Sequence, residues 1–349
     1  MPFRFAPLSR TISGQRNPWR SIGSLVLEDD PRKVHASVPG GQASHVPADP
    51  NAPASFALIR RWLQTCLDTH EACRLATSSS SHPLPRRVIF VGDDSNAGVR
   101  LVETDTLVQG NTAARSSYLA LSHCWGTVTH LTTTSETLSA RKTNIAWASL
   151  PATFQDAVLI TRGLGFEYVW IDSLCIVQND AQDWVNESAK MASIYEGATL
   201  VLSATSSAGS SGGCLFPRDP YLEVQGTSHD GEPFSFFGRT KRDHQIFNVG
   251  SASQILEHVW EWDSEVYLHY PLYTRAWCFQ ERLLATRVLH FTRGEMVFDC
   301  LTSISCECGR LSGYTGDPLR RPRQVAKLGG PVGTKFPGWQ TYRYVPLDS

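Results

Sequence analysis

Between Tyr118 and Ser203 the chain runs twice through a strand-like and then a helix-like pattern, and no other feature restricts its fold as tightly. Tyr118–Leu121 is a short apolar run of the kind buried on both faces of a sheet. A helical pattern follows over Leu150–Arg162, with Pro151 in its first turn and Gly163 just past its end. Tyr168–Ile171 is the next strand, Asp180 can cap a helix over Ala181–Tyr195, and Thr199–Ser203 is the third strand. A strand–helix–strand unit used twice requires right-handed crossovers and parallel strands. The expected fold is α/β, with a small doubly wound parallel-sheet core over about 118–204.

The flanks are read more coarsely. A helix over Ala54–Leu75 carries Leu58, Trp62, Cys66 and Cys73 on one side, and Arg87–Val91 with Val99–Val102 reads as a strand pair. Thr205–Gly213 is a Gly/Ser-rich loop. Thr274–Leu284 is an additional helix, and Arg287–Thr292 with Glu295–Cys300 forms a hairpin turning at Arg293-Gly294. Residues 1–52, rich in Pro, Ser, Gly and Asn, are expected to be a poorly ordered leader and 301–349 a weakly ordered tail.

In an open parallel sheet, ligands bind beyond the carboxyl ends of the strands. That rule selects Ser122, His123, Cys124, Trp125 and Gly126 after the first strand, Asp172, Ser173 and Cys175 after the second, and Ser203 at the end of the third. Glu187 falls on the same helical stripe as Trp184, Met191 and Ile194, where a carboxylate is costly unless it is paired or has work to do. It can be a functional acid, or it can pair with Lys190 one turn on. His123 can shuttle a proton or stack on a base, and can equally be a satisfied rim histidine. Asp172 can bind a ribose hydroxyl or cap its loop. In TRAWCFQERLL, Arg275, Trp277 and Glu281 form a second dense cluster, read as structural or interaction residues, with Glu281 pairing an arginine to fix the helix on the core.

Several classes are excluded or disfavoured. The chain has 32 basic and 33 acidic residues among 349, so charge gives no reason to expect a nucleic-acid partner. No apolar run is long enough to span a bilayer, and no Walker A or GxGxxG sequence occurs. Nine cysteines without a secretory signal point to free thiols in the cytoplasm. Cys124 and Cys175 flank apolar runs and are read as inert. Cys66, His70 and Cys73 (C-x3-H-x2-C) have ligand chemistry, but structural zinc wants four ligands. Cys306 and Cys308 supply no recognised spacing, so no metal and no cofactor are expected.

YLALSHCWG (118–126), the segment from VWIDSLCIVQND through the IY at 194–195 to Ala198, and TRAWCFQERLLATRVLHF (274–291) together resemble the three blocks of the fungal heterokaryon incompatibility (HET) domain. RWLQTCLDTHEAC (61–73) and LPRRVIFVG (84–92) resemble its usual lead-in, so the resemblance covers about 55–300, with the domain taken as 54–300. It implies fungal self/non-self recognition and programmed cell death, acting through self-association or another incompatibility protein. It also implies a distant relation to the Toll/interleukin-receptor (TIR) fold, itself flavodoxin-like. Several TIR domains cleave the glycosidic bond of NAD with one glutamate, which makes NAD a candidate substrate. On that comparison Glu187 is the catalytic residue, and Ser122, His123, Trp125, Asp172, Ser173 and Trp184 would bind substrate. Trp184 stands three residues before Glu187, where the TIR pattern has four. The same groove would serve a non-catalytic protein-interaction adaptor, and the sequence leaves both readings open.

Overall fold

The computed structural model describes residues 25–28, 44, 46–78, 84–92, 98–106, 117–126, 131–218, 222–227, 231, 233–240, 244, 269–309, 311 and 314–315. They fall into two compact units. The smaller spans Met1–Val46 and Asp219–Asp243, and holds an antiparallel sheet. In it β1 (Leu25–Glu28) pairs with Pro233–Thr240 (β8), which also pairs with Leu222–Thr227 (β7). A strand therefore lies inside the expected leader; the rest of the leader before residue 44 lies outside the described residues.

The larger unit, Pro47–Arg218 with His244–Ser349, is organised on one mixed sheet. Two helices, α1 (Pro53–Thr69) and α2 (Glu71–Ser78), replace the single expected helix, with the break at His70. There follow β2 (Arg87–Phe90), β3 (Arg100–Glu103), β4 (Tyr118–Ser122), α3 (Leu138–Thr143), α4 (Ala152–Gly163) and β5 (Tyr168–Trp170). Next come α5 (Asp172–Cys175), α6 (Ala181–Ser188), α7 (Met191–Gly197) and β6 (Leu200–Ser203). The unit closes with α8 (Ala276–Leu284), β9 (Arg287–Phe291), β10 (Met296–Cys300), β11 (Ser303–Cys306) and β12 (Tyr314–Thr315). The last two strands extend the sheet past residue 300, into the stretch expected as a tail; beyond Thr315 the tail lies outside the described residues.

The strand order is β12-β11-β10-β9-β6-β4-β5-β2-β3. β4 pairs in parallel with β5 and β6, and β6 in parallel with β9. The chain leaves β4 through α4 to reach β5 on one side, then crosses back to β6 on the other. This is the doubly wound core, and its winding reverses between β4 and β6. Outside the parallel centre the ladder is antiparallel, because β2 and β10 enter from hairpins rather than from crossover helices.

The core explains these choices. Every residue of β4, β5 and β6 is buried, as strands covered on both faces must be. On α4, Phe154, Ala157, Val158 and Thr161 are buried at helical spacing, with Pro151 extended at the N-cap. Gly163 is needed inside this helix because the Phe56 ring of α1 lies 2.6 Å from where a Cβ would sit. Among the described residues, no helix is long and apolar enough to cross a membrane.

Candidate functional site

The parallel register brings Ser122 beside Ser203 and Ser203 beside His290, so the carboxyl ends of β4, β6 and β9 form one polar row at the switch point. β4 then continues into His123, Cys124, Trp125 and Gly126. The Gly126 φ is +84°, and its absent Cβ would lie 3.1 Å from the Gly209 Cα. Only glycine allows the two loops after β4 and β6 to approach this closely.

Asp172, at the start of α5, anchors the first cluster. Its Oδ2 accepts from the Trp125 indole Nε1 at 2.8 Å and its Oδ1 from the Ser173 amide at 2.7 Å. The His123 Nδ1 stands 3.9 Å from Asp172 Oδ1, in a side chain that is 1% exposed. The His123 ring meets Phe154 edge-on at 5.0 Å, and its carbonyl accepts from Arg275 Nη1 at 2.9 Å. Ser122, His123, Trp125 and Asp172 are thus brought together as expected. Ser173 is fully buried, and its hydroxyl has no hydrogen-bond partner among the described residues.

Glu281 completes the cluster from α8, and differs from its expected role. It hydrogen-bonds to Ser122 and Tyr195 instead of pairing with an arginine, and Arg275 acts on it only as a nearby charge. Burial pushes its carboxyl up to about 7, assisted by the Asp172 charge and opposed by the Ser122 bond and Arg275. Its Oε2 is buried and has no hydrogen-bond partner among the described residues. Tyr195 donates to the Leu121 carbonyl at 3.1 Å, and burial pushes its phenol well above the ordinary value. Two carboxyl groups thus stand within electrostatic reach of each other, and burial raises that of Glu281.

Glu187 does not join this cluster. It is buried at 2% exposure and makes the i,i+3 ion pair with Lys190, 2.9 Å from Nζ to Oε1, that the spacing allows. Of the expected stripe, Glu187, Met191 and Ile194 keep to the inner face and Trp184 does not. The helical run breaks at Ala189–Lys190, and α6 buries Asp183 and Glu187, four residues apart, while Trp184 is 51% exposed. Asp183, which the sequence reading passed over, binds Arg87 Nη2 through both oxygens at 2.5 Å and also accepts from Arg86 and the Val177 amide. Trp277 on α8 is 63% exposed, beside the buried Cys278 and Glu281.

A second polar chain went unread because its members sit in what looked like an isolated hairpin. The His290 Nδ1 is 3.2 Å from both Thr205 Oγ1 and the Tyr273 hydroxyl, and its Nε2 is 3.7 Å from Asp299 Oδ2. The parallel pairing of β9 with β6 joins this chain to the row at the crevice, and alternation within RVLHF gave no sign of it. Burial raises the Cys124 thiol and pushes that of Cys175 up to about 12, which disfavours the nucleophilic thiolate.

These features define a class: an α/β domain with a buried polar, carboxylate-bearing cluster at the switch point of a doubly wound sheet. Residues 118–281 match the family model described as heterokaryon incompatibility protein (HET), from β4 into α8. The chain carries a HET domain over this stretch. No curated protein and no solved structure gives a significant match.

Proposed function

We propose that the chain is a cytoplasmic effector of fungal self/non-self recognition that triggers cell death by cleaving the N-glycosidic bond of NAD in the crevice at β4, β5 and β6. The reading is carried by Glu281, a buried carboxyl poised at about 7 beside Asp172. The ribosyl C1′–N bond breaks, and the electron pair leaves with nicotinamide. The Asp172 carboxylate stabilises the positive charge that develops on the ribosyl centre. Water attacks C1′ and gives its proton to Glu281, whose value near the working pH suits a general base. Trp125 holds Asp172 in place, and His123 contacts the ribose or phosphate. Glu187, bound to Lys190, supports the helix instead of acting on substrate.

A second reading, a non-catalytic adaptor, is favoured by one observation: Trp184 and Val185 on α6 and Trp277 on α8 are more than half exposed, at 51%, 56% and 63%. Partners would then be a second copy or another incompatibility protein.

The test expresses wild type, Glu281→Gln, Asp172→Asn and Glu187→Gln and follows NAD and viability together. Catalysis predicts NAD loss that falls at least ~100-fold in the first two variants and persists in the third. Toxicity at unchanged NAD in wild type, abolished by Trp277→Ala, would sink the catalytic reading and support the adaptor.

A further inference from the structure

At the opposite edge of the sheet, where β9 begins and β10 ends, the fold assembles three thiols and an imidazole. Cys66 comes from α1, His70 from the break between the helices, Cys73 from α2 and Cys300 from the end of β10. Their ligand atoms all lie within 4.8 Å of one another, and Cys300 Sγ is 3.3 Å from His70 Nδ1. A tetrahedral zinc ion with Zn–S bonds of about 2.3 Å needs its sulfurs about 3.8 Å apart, so the cluster is already of the right size. All three cysteines are fully buried, which leaves no open position for substrate or water.

The surroundings supply an independent sign. Arg287 is 0% exposed, and among the described residues no carboxylate pairs with it. Its guanidinium instead donates to Cys66 Sγ at 3.1 Å and to the carbonyls of Cys73 and Thr199 at 3.4 Å each. A buried cation needs a counter-charge. Zinc bound by three thiolates and a neutral imidazole carries a net charge of −1, which matches it. The Ser303 amide points at Cys300 Sγ at 3.3 Å, a donor that also favours the thiolate form.

We propose that Cys66, His70, Cys73 and Cys300 hold a structural zinc ion that clamps α1 and α2 to β10. Three soft sulfur ligands and one nitrogen in a closed tetrahedron select zinc over magnesium, calcium or manganese. The site lies at the amino ends of the parallel strands, away from the crevice, and takes no part in the chemistry there. The clamp joins residues 230 positions apart in the chain, so it closes a long loop. The other group of potential ligands, His244, Glu295, Cys306 and Cys308, is closed on itself: Glu295 pairs with His244 at 2.7 Å and accepts from the Cys308 amide at 2.9 Å.

The test measures zinc per chain in protein purified under reducing conditions, for wild type, His70→Ala and Cys300→Ser. The expected result is a loss of one equivalent in each variant; taking the difference cancels zinc bound elsewhere. Because each variant also alters packing at a buried site, the wild type is stripped and titrated with Co(II) as well. Thiolate-to-cobalt charge-transfer and tetrahedral ligand-field bands, bleached by zinc, are expected. The proposal fails if Cys300→Ser keeps its full zinc content, if Co(II) gives only a weak octahedral spectrum, or if folded wild type lacks zinc and carries a Cys66–Cys73 disulfide.

Discussion

Replacing Glu281 with Gln should stabilise the protein at alkaline pH, although it removes a residue assigned to the chemistry. The carboxyl moves from an ordinary 4.5 in the unfolded chain to about 7 in the fold. Below the lower value both states hold the proton and the group costs nothing. As pH rises, the unfolded chain releases its proton first, so stability is lost progressively until the folded value is passed. At about 1.4 kcal/mol per tenfold change in ionisation, the full cost is about 3 kcal/mol, of which about 2.5 kcal/mol develops between pH 5 and pH 8. Gln keeps the shape and an acceptor for Ser122 and Tyr195, and does not ionise. Urea unfolding of both proteins at intervals across this range gives the difference directly. His244, which burial would lower but Cys308 and Glu295 push up to about 9, also makes stability fall with rising pH, but it is common to both proteins and cancels. Stability profiles that run parallel from pH 5 to pH 8 would refute the assignment of a buried, displaced carboxyl at this position. Asp172→Asn should shrink the gap, since the Asp172 charge helps to raise Glu281.

Further expectations follow from packing. Asp183→Asn leaves the buried Arg87, 2% exposed, without its bidentate partner. A loss of about 3–5 kcal/mol is expected in equilibrium unfolding, with a larger effect than Glu187→Gln, whose partner Lys190 is 53% exposed. Gly126→Ala puts a Cβ 3.1 Å from Gly209 Cα at a φ of +84°, so it should cost about 1–3 kcal/mol. Because that strain falls on the loop carrying His123 and Trp125, the substitution should also depress NAD cleavage more than its effect on stability accounts for.

The parallel core was legible because its strands are continuous apolar runs joined by helices with clear starts at Pro151 and Asp180, although α4 runs through Gly163, which was read as its stop. The crevice was legible in outline, since strand ends follow from the same pattern and name Ser122, His123 and Asp172 without a motif. What escaped depends on groups far apart in sequence. Glu281 reads as a packing residue until α8 is set against Ser122 and Tyr195, from β4 and α7. Cys300 is an ordinary strand cysteine until the end of β10 meets His70. The orientation of Trp184 was misread for a local reason: α6 buries the polar pair Asp183 and Glu187 at i,i+4 and leaves the aromatic beside them outside.

The two edges of the sheet then divide the work. The carboxyl edge gathers Ser122, Asp172, Ser203, His290 and Glu281, and burying such groups opposes folding, most clearly for Glu281. The amino edge holds the Cys66–His70–Cys73–Cys300 cluster, where metal binding contributes directly to folding because no such site exists in the unfolded chain. A strained polar crevice can persist when stability is supplied elsewhere in the same cooperative unit. Both edges share β9: Arg287 at its start faces the thiols and His290 near its end faces Thr205. Stripping the metal should therefore loosen β9 along its length, and hydrogen exchange should rise at Leu289 and His290 as well as at Arg287. Exchange that rises only around Cys66 and Cys300, with the crevice end of β9 unchanged, would show that the edges are not coupled.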